Sequence, residues 1–300
     1  MRTKARIFFH GTDVPGREQA VLSSAGCGPD VARVSDIEWN GTLSVFVYVT
    51  LDVEDPRLAL LQKLLLAYKV KWSEDRWDEY TDEEYEAAPL IVVEALGENH
   101  VVGGPRFYTE YDLSNACPAC GAGMRQTGAY MLDGAGPSMI GLGQFRAVSS
   151  YSELIVDQPL AEALARANLS GLSLRSVYAY QPNEAPIELI WKQLWASHTL
   201  PPMSPRSTGI DFDSACKTCR RGKIDSTSPV RFAYRAKDLE GAQDVNRMWE
   251  RFGYVRWNGD LKTAVLWQPY FIVTPKVWRI FRDAGVTGFQ WLPIRVVDDE

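Results

Sequence analysis

The sequence has few of the residues and runs that usually signal catalysis or membrane insertion. It contains three histidines among 300 residues and nowhere reaches eighteen consecutive apolar residues. It also lacks a Walker loop, a His-Glu-x-x-His motif, a Gly-x-Ser-x-Gly elbow and a dinucleotide-binding fingerprint. These absences exclude a single long apolar transmembrane helix and the enzyme classes that those motifs define. We therefore expect a cytoplasmic protein without a membrane partner, and no residue is nominated as catalytic.

Cysteine is also scarce, but four of the five cysteines form two close pairs. Cys117 and Cys120 lie in CPACG, and Cys216 and Cys219 lie in CKTCR. Two Cys-x-x-Cys turns can point four thiolates at one ion, and four sulfurs are a common ligand set of structural zinc. We predict a shared structural Zn²⁺ site, with no open coordination position at which water can be activated.

Three other interpretations of the cysteine pairs stay open. One pair can be a thioredoxin-like redox couple, although CPACGAGM leads into glycines rather than into a helix. Each pair can bind its own ion with further ligands, although His10, His100 and His198 show no metal-ligand spacing to either pair. The four cysteines can also be buried thiols, as we expect of the fifth, Cys27.

Residues 1–96 are expected to form a small acidic α/β module. The helix in DPRLALLQKLLLAYKV should begin with Asp55 as N-cap and Pro56 at the first helical position. The order strand, helix, strands, helix, strand predicts a split-βαβ arrangement. This segment holds ten Lys/Arg and seventeen Asp/Glu, against twenty-two and twenty-one in the remainder, so the net charge of −6 belongs to the front of the chain. Residues 97–106, interrupted by glycines, are a linker candidate.

An internal repeat organises the C-terminal region. Residues 154–177 align with residues 271–294 at a constant offset of 117. In each copy an apolar strand leads into a proline-marked helix, which should end at a left-handed residue, Asn168 in one copy and Gly285 in the other. The similarity favours a diverged duplication, although strand-helix-strand units also resemble one another by chance.

The predicted fold class is therefore α+β. It comprises a small N-terminal split-βαβ-like module, residues 1–96, and a duplicated α+β domain, residues 104–300. The halves of that domain are placed at about 104–180 and 205–300, and the four-cysteine zinc site joins them.

An acidic stretch with interleaved aromatic residues, SEDRWDEYTDEEYE, occupies residues 73–86. Its eight carboxylates can attract a basic protein, and tryptophan and tyrosine supply contact area at low entropic cost. A solvated strand-to-helix face is the alternative interpretation. The candidate partner-binding residues are Trp77, Asp78, Glu79, Tyr80, Asp82, Glu83 and Tyr85.

A basic cluster surrounds the second cysteine pair and consists of Lys217, Arg220, Arg221 and Lys223. These side chains can hold phosphate in a nucleic-acid-binding protein, or they can screen the double negative charge of a zinc–thiolate cluster. The acidic composition elsewhere favours screening, so nucleic acid is not the partner we expect.

From about residue 104 to residue 300 the chain resembles the bacterial double Cys-x-x-Cys-Gly motif family and related immunity proteins of polymorphic toxin systems. The resemblance rests on CPACG, on the second pair, and on ELIVDQPLAEALARANLSGLSLRSV with YFIVTPKVWRIFRDAGVTGFQWLPI. It implies a non-enzymatic protein that binds and neutralises a cognate toxin, which is often basic when its inhibitor is acidic. Arg220 stands where the family pattern has glycine, and whether this changes the bend of the second turn stays open. A zinc-knuckle nucleic-acid-binding protein and an enzyme of unrecognised class are the alternative functions.

Overall fold

The protein consists of two compact units that both contain helices and strands. The computed structural model describes residues 1–10, 18–39, 42–134 and 142–298. The first unit is Met1–Asp82 and the second is Glu83–Glu300. The predicted α+β class is therefore confirmed. In the described ranges, no helix combines the length and the apolar character that crossing a bilayer requires.

The described part of the first unit is an antiparallel sheet with two helices. Its elements are β1 (Arg2–His10), α1 (Glu18–Ser24), β2 (Ala32–Trp39), β3 (Thr42–Asp52), α2 (Pro56–Ala67) and β4 (Trp72–Glu79). The strand order across the sheet is β2-β3-β1-β4. Strand β3 therefore lies between the two strands that flank α1 in sequence, and β1 lies between the two that flank α2.

Alternation along the central strands builds the core of this unit. Successive side chains of a strand point to opposite faces, so one face of the sheet becomes apolar. Three buried cross-strand pairs form that face: Ala5 with Leu51, Ile7 with Val49 and Phe9 with Val47. Helix α2 adds buried leucines to the same core. It begins as predicted, because Pro56 is its first residue and the Asp55 carboxylate accepts a hydrogen bond from the backbone N–H of Arg57 at 2.9 Å.

The described part of the second unit contains two five-stranded sheets together with helices. The first sheet has the order β8 (Tyr130–Asp133), β11 (Leu172–Tyr180), β12 (Ile187–Ala196), β10 (Glu153–Val156) and β9 (Ala147–Ser150). The second has the order β13 (His198–Thr199), β17 (Val245–Arg247), β20 (Phe271–Val273), β5 (Ile91–Ala95) and β21 (Phe289–Pro293). The helices are α3 (Asp82–Ala87), α4 (Gln158–Arg166) and α5 (Pro275–Asp283).

Short two-stranded ladders complete the second unit. They are β6 (Tyr111–Asp112) with β7 (Arg125–Gln126), β14 (Thr208–Asp211) with β15 (Asp225–Arg231), β16 (Ala233–Arg235) with β22 (Arg295–Val297), and β18 (Val255–Arg256) with β19 (Val265–Leu266). Helices α4 and α5 pack against each other, and buried side chains from both large sheets join them in one core.

The two strand-helix-strand segments end their helices in the same way. Asn168 follows α4 with φ 48°, and Gly285 follows α5 with φ 69°, so both predicted left-handed residues adopt that conformation. Three residues further on, Gly171 and Gly288 have φ values of 78° and 81°. The chain therefore leaves both helices through the same pair of positive-φ positions before it enters β11 or β21.

Each segment receives its middle strand from another part of the chain. Strand β12 pairs with both β10 and β11, and β5 pairs with both β20 and β21. The backbone N–H of Ser197 donates to the carbonyl of Gly171 at 2.9 Å, and the N–H of Leu96 donates to that of Gly288 at 2.9 Å. Suppose that the second unit is divided between β11 and β12. The first strand of the N-terminal part, β5, then lies in the sheet whose other strands belong to the C-terminal part. The first strand of the C-terminal part, β12, lies in the sheet whose other strands belong to the N-terminal part. The expected halves, 104–180 and 205–300, omit both exchanged strands.

The boundary between the units lies earlier than the expected residue 96, because β5 is an internal strand of the second unit. The proposed linker also belongs to that unit. Val101 is 2% exposed, and its backbone N–H donates to the carbonyl of Ser149 at 2.8 Å. With this boundary, Met1–Asp82 holds ten Lys/Arg and thirteen Asp/Glu and the rest holds twenty-two and twenty-five, so each unit has a net charge of −3.

Gly171→Ala should destabilise the protein more than Gly285→Ala. Both replacements place a side chain in a left-handed conformation, which costs about 1–2 kcal/mol. At Gly285 a Cβ meets nothing within 4 Å, whereas at Gly171 it lies 2.4 Å from the carbonyl oxygen of Val245. Urea unfolding of both variants measures the difference. Equal losses of stability in the two variants would show that the backbone at Val245 shifts to make room for the added methyl group at little cost.

Candidate metal centre

The two Cys-x-x-Cys turns share one backbone geometry. The N–H of Gly121 donates to the carbonyl of Cys117 at 2.7 Å, and the N–H of Arg220 donates to that of Cys216 at 2.8 Å. Gly121 and Arg220 both have left-handed backbones, with φ of 69° and 57°. The two turns therefore bend in the same way. The arginine takes up the conformation that glycine adopts freely, at a cost of about 1–2 kcal/mol.

The four sulfur atoms of these turns meet. All four Sγ atoms lie within 4.8 Å of one another. The Sγ atoms of Cys117 and Cys216 are 3.9 Å apart, and those of Cys120 and Cys219 are 3.5 Å apart. Tetrahedral zinc with Zn–S bonds of about 2.3 Å holds its sulfurs about 3.8 Å apart, whereas a disulfide requires about 2.05 Å. The cluster therefore has the dimensions of a four-sulfur metal site and can hold a metal ion.

Burial and close packing shape the site around the sulfurs. Cys117, Cys120 and Cys216 are buried, and Cys219 is half-buried. A Cβ at Gly222 would lie 2.9 Å from the Sγ of Cys120, so the second turn passes the first cysteine pair at a distance that only glycine allows. In the described residues, this is the one group of three or more Cys, His, Asp or Glu side chains arranged to hold a metal.

The histidines take no part in the cluster. The Nδ1 atom of His198 is 2.9 Å from the Oδ1 atom of Asn246. His100 lies beside the rings of Tyr151 and Trp267, at centroid distances of 5.1 and 5.7 Å, and burial lowers its pKa. The arrangement gives no support to the alternative in which each cysteine pair binds its own ion with a histidine.

The thiols differ in how readily they ionise. Burial raises the pKa of Cys120, and hydrogen bonds with the other three thiols raise it further, although a backbone hydrogen bond opposes them. Burial also acts to raise the pKa of Cys216, but backbone hydrogen bonds from Cys219 and Thr218, with hydrogen bonds from two thiols, lower it to about 6. Without a cation, one thiolate is stabilised at the expense of its neighbours. Four thiolates in this space therefore require a metal ion to balance their charge.

Two arginines lie beside the sulfurs. Arg221 Nε donates to the carbonyl of Trp249 at 2.7 Å, and Arg251 Nη1 donates to that of Gly121 at 3.2 Å. Burial lowers the pKa of Arg251 to about 10, and the positive charge of Arg221 lowers it in the same direction, so Arg251 stays protonated at neutral pH. Their two positive charges can balance the net double negative charge of a divalent ion with four thiolates. The other members of the predicted basic cluster, Lys217, Arg220 and Lys223, are exposed.

The candidate partner-binding residues differ in accessibility. Asp78 is 6% exposed and accepts a hydrogen bond from Thr3 Oγ1 at 2.7 Å, which limits its availability to a partner. The Tyr85 ring stacks on Trp278 with a centroid distance of 4.7 Å and belongs to the core of the second unit. The half-buried candidates are Trp77, Tyr80 and Tyr85, and the exposed ones are Glu79, Asp82 and Glu83.

A buried polar network near the metal centre has no counterpart among the predicted site residues. Gln193 Nε2 donates to Glu153 Oε2 at 2.9 Å, and Glu153 forms an ion pair with Arg247. Gln126 and Gln193 exchange amide hydrogen bonds of 2.9 Å. The available sequence signal was Glu153 itself, a carboxylate directly before the apolar strand LIV, where the second copy has Tyr270.

Comparison with known proteins supplies no family for this chain. No protein-family model matches it, and no curated protein sequence matches it. The functional argument therefore depends on the site and on the motif resemblance.

Cys117→Ser should lower the metal content, which we expect to be about one ion per chain in the native protein, and should destabilise the second unit. Elemental analysis of the purified chain, combined with thermal unfolding, measures both effects. Arg220→Gly is the matched control, because it keeps the four sulfurs and removes the left-handed arginine. This control should retain the metal and unfold with equal or greater free energy. Native protein without metal, or Cys117→Ser with a full complement, would contradict the assignment.

The buried carboxyl of Glu250 should make stability depend on pH. Burial raises its pKa to about 7, although its hydrogen bond from the N–H of Met203 and the charge of Arg221 oppose that rise. The folded state keeps this proton while the unfolded state releases it near pH 4.5, so this contribution to stability is complete at low pH and is lost between about pH 4.5 and 7.

Glu250→Gln removes the titration and keeps an oxygen that can accept from Met203. The difference in unfolding free energy between wild type and this variant should therefore decline by roughly 3 kcal/mol as the pH rises from about 4.5 to 7. Urea unfolding at pH 4.5, 6 and 8 checks the decline. A constant difference at all three values would mean that Glu250 is ionised throughout.

Proposed function

We propose that this chain is an immunity-type protein that binds and neutralises a cognate bacterial toxin, with zinc as a structural ion. The observation that carries the proposal is the closed four-cysteine cluster. Each ligand is a protein sulfur, so a bound ion has no vacant position for substrate or water. The described site thus favours a scaffold for recognition over a metal-dependent reaction, in agreement with the resemblance to the double Cys-x-x-Cys-Gly family.

Zinc is the ion that the ligand set favours. Four thiolates in a tetrahedron suit Zn²⁺, which has no redox chemistry and no geometric preference of its own. Elemental analysis of the native chain should therefore find zinc. The five cysteines are all free thiols, and this suits a reducing compartment such as the cytoplasm.

We infer that the second unit arose by duplication. The evidence is the shared pattern of positive-φ residues, the matching junction hydrogen bonds of Ser197 and Leu96, and the reciprocal placement of β5 and β12. Chance similarity between two short motifs does not explain agreement in sheet register as well. We also assign the first unit to the split-βαβ class, because each of its β-α-β segments encloses a strand of the other.

The proposed toxin-binding surface is narrower than the acidic stretch from which it was inferred. We place it on the exposed carboxylates Glu79, Asp82 and Glu83, and we leave out Asp78 because it is buried. The net charge of −3 on each unit favours a basic partner over nucleic acid. Arg221 is half-buried, so it is not part of an exposed basic face around the second cysteine pair.

Neutralising the three exposed carboxylates should slow binding to the toxin without affecting folding. The cognate protein is sought by pull-down with the products of neighbouring genes. The triple variant with Glu79→Gln, Asp82→Asn and Glu83→Gln should then associate with that protein about tenfold more slowly than wild type at low salt. Electrostatic steering acts mainly on the association rate. Surface plasmon resonance separates that rate from dissociation.

The matched control neutralises three exposed carboxylates elsewhere: Glu184→Gln, Asp225→Asn and Glu240→Gln. It changes the net charge equally, so it should leave association nearly unchanged if the surface is local. Equal slowing in both triple variants would remove this surface from the interface. Failure of every neighbouring gene product to bind or to be neutralised would overturn the immunity function itself.

A further inference from the structure

A cavity of about 440 Å³ opens within the second unit, beside the cysteine cluster. Four arginines and one glutamate line it, which gives the lining a formal net charge of +3. Subtracting the net double negative charge of a nearby zinc–thiolate cluster still leaves a positive surplus. The volume falls within the range of small-molecule sites, roughly 300–1,000 Å³.

In one part of the cavity lining, the charged groups are already paired with protein groups. Arg247 Nη1 donates to the carbonyls of Ser152 at 3.1 Å and of Pro269, and Arg247 Nη2 pairs with Glu153. Glu153 also accepts from Gln193 at 2.9 Å. This side therefore needs no further ligand.

The other side leaves buried donors without acceptors. Arg251 is 2% exposed, and two of the five N–H groups of a guanidinium are used, by Gly121 O at 3.2 Å and by Gln268 Oε1 at 2.9 Å. Its Nε is buried and has no partner among the described residues. Arg251 also has no hydrogen-bonded carboxylate there, although a buried charge is costly without one.

Two further arginines add donors to the lining of the cavity. Arg221 uses its Nε on the carbonyl of Trp249, and its terminal nitrogens make no hydrogen bond to the described residues. Arg125 lines the cavity and is exposed. Neither Arg221 nor Arg251 is hydrogen-bonded to a cysteine sulfur in the part of the chain that the structure describes, so screening of thiolates leaves these N–H groups unused.

The ion pair of Glu153 and Arg247 lies at one of two matching places in the fold. At the offset that aligns the two segments, Glu153 corresponds to Tyr270. In the first sheet Gln193 pairs with Ile155. In the second sheet Val92 pairs with Ile272, which corresponds to Ile155 at the same offset. Val92 is therefore the counterpart of Gln193. Tyr270 and Val92 thus occupy the positions equivalent to Glu153 and Gln193, and the Tyr270 hydroxyl donates to Glu94 Oε1 at 3.1 Å. The same frame therefore carries different polar groups in its two sheets.

We propose that this cavity binds the phosphate or carboxylate group of a small molecule, with buried Arg251 as its inner donor and exposed Arg125 as its outer donor. Arg221 supplies terminal N–H groups between them, and charge-assisted hydrogen bonds to an oxyanion satisfy the unused donors. The cavity exceeds the volume of one phosphate ion, and Trp195 and Tyr111 line the remainder, so the ligand carries an apolar or aromatic portion as well. This proposal is independent of toxin binding.

Isothermal titration calorimetry of the full chain tests the site with sodium phosphate and with succinate, at an ionic strength held constant with sodium chloride. We expect saturable binding of one anion per chain, and the two arms identify which group the site prefers. Gln268→Glu should abolish binding because it places a carboxylate against Arg251, and it should raise the melting temperature. Arg125→Ala should weaken binding about tenfold and leave folding unchanged.

Arg256→Ala is the matched control, since Arg256 is an exposed arginine of the same unit and does not line the cavity. It should bind the anion as wild type does. No saturable binding of either anion, or binding that Gln268→Glu leaves intact, would overturn the proposal. Binding that is lost in Gln268→Glu and unchanged in Arg125→Ala would support the inner site and remove Arg125 from it.

Discussion

The convergence of four sulfur atoms from two loops is the constraint on which the centre of the second unit depends. The turns are far apart in sequence, yet their backbones follow the same course and bring Cys117 within 3.9 Å of Cys216. A side chain at position 222 would clash with the sulfur of Cys120, so glycine fits there. Thiols that share protons in this way hold one another in place weakly, whereas a divalent cation bonded to four thiolates contributes folding free energy directly. Binding of such a cation would therefore be coupled to folding.

Around this centre the protein combines near-symmetry with local departures from it. The two large sheets have corresponding strand registers and corresponding helix ends, which gives the unit a regular frame. The departures are chemical: Glu153, Gln193 and Arg247 form a buried network, whereas Tyr270, the counterpart of Glu153, donates to Glu94. Two parts with the same frame can therefore keep similar packing while their polar groups differ.

Local sequence signals predicted local structure well. Asp55 and Pro56 begin α2, Asn168 and Gly285 end their helices in the left-handed region, and the cysteine spacing predicted one four-sulfur cluster. These features depend on a few neighbouring residues, whose preferences are intrinsic. The sheet membership of β5 was missed because hydrophobic periodicity shows that a strand exists and does not show its partners. Arg251 was missed for a similar reason, since a single arginine has no motif and its burial depends on distant chain segments.

The exchanged strands bear on how the second unit is synthesised. Strand β5 leaves the ribosome near the start of the unit, but its partners β20 and β21 are among the last segments to emerge. At typical translation rates of about 5–20 residues per second, its apolar residues wait for on the order of ten seconds or more before their sheet can close. A nascent chain of this topology must keep Ile91 and Val93 away from wrong partners throughout that interval. Chaperone binding at β5 would protect it until the closing strands arrive.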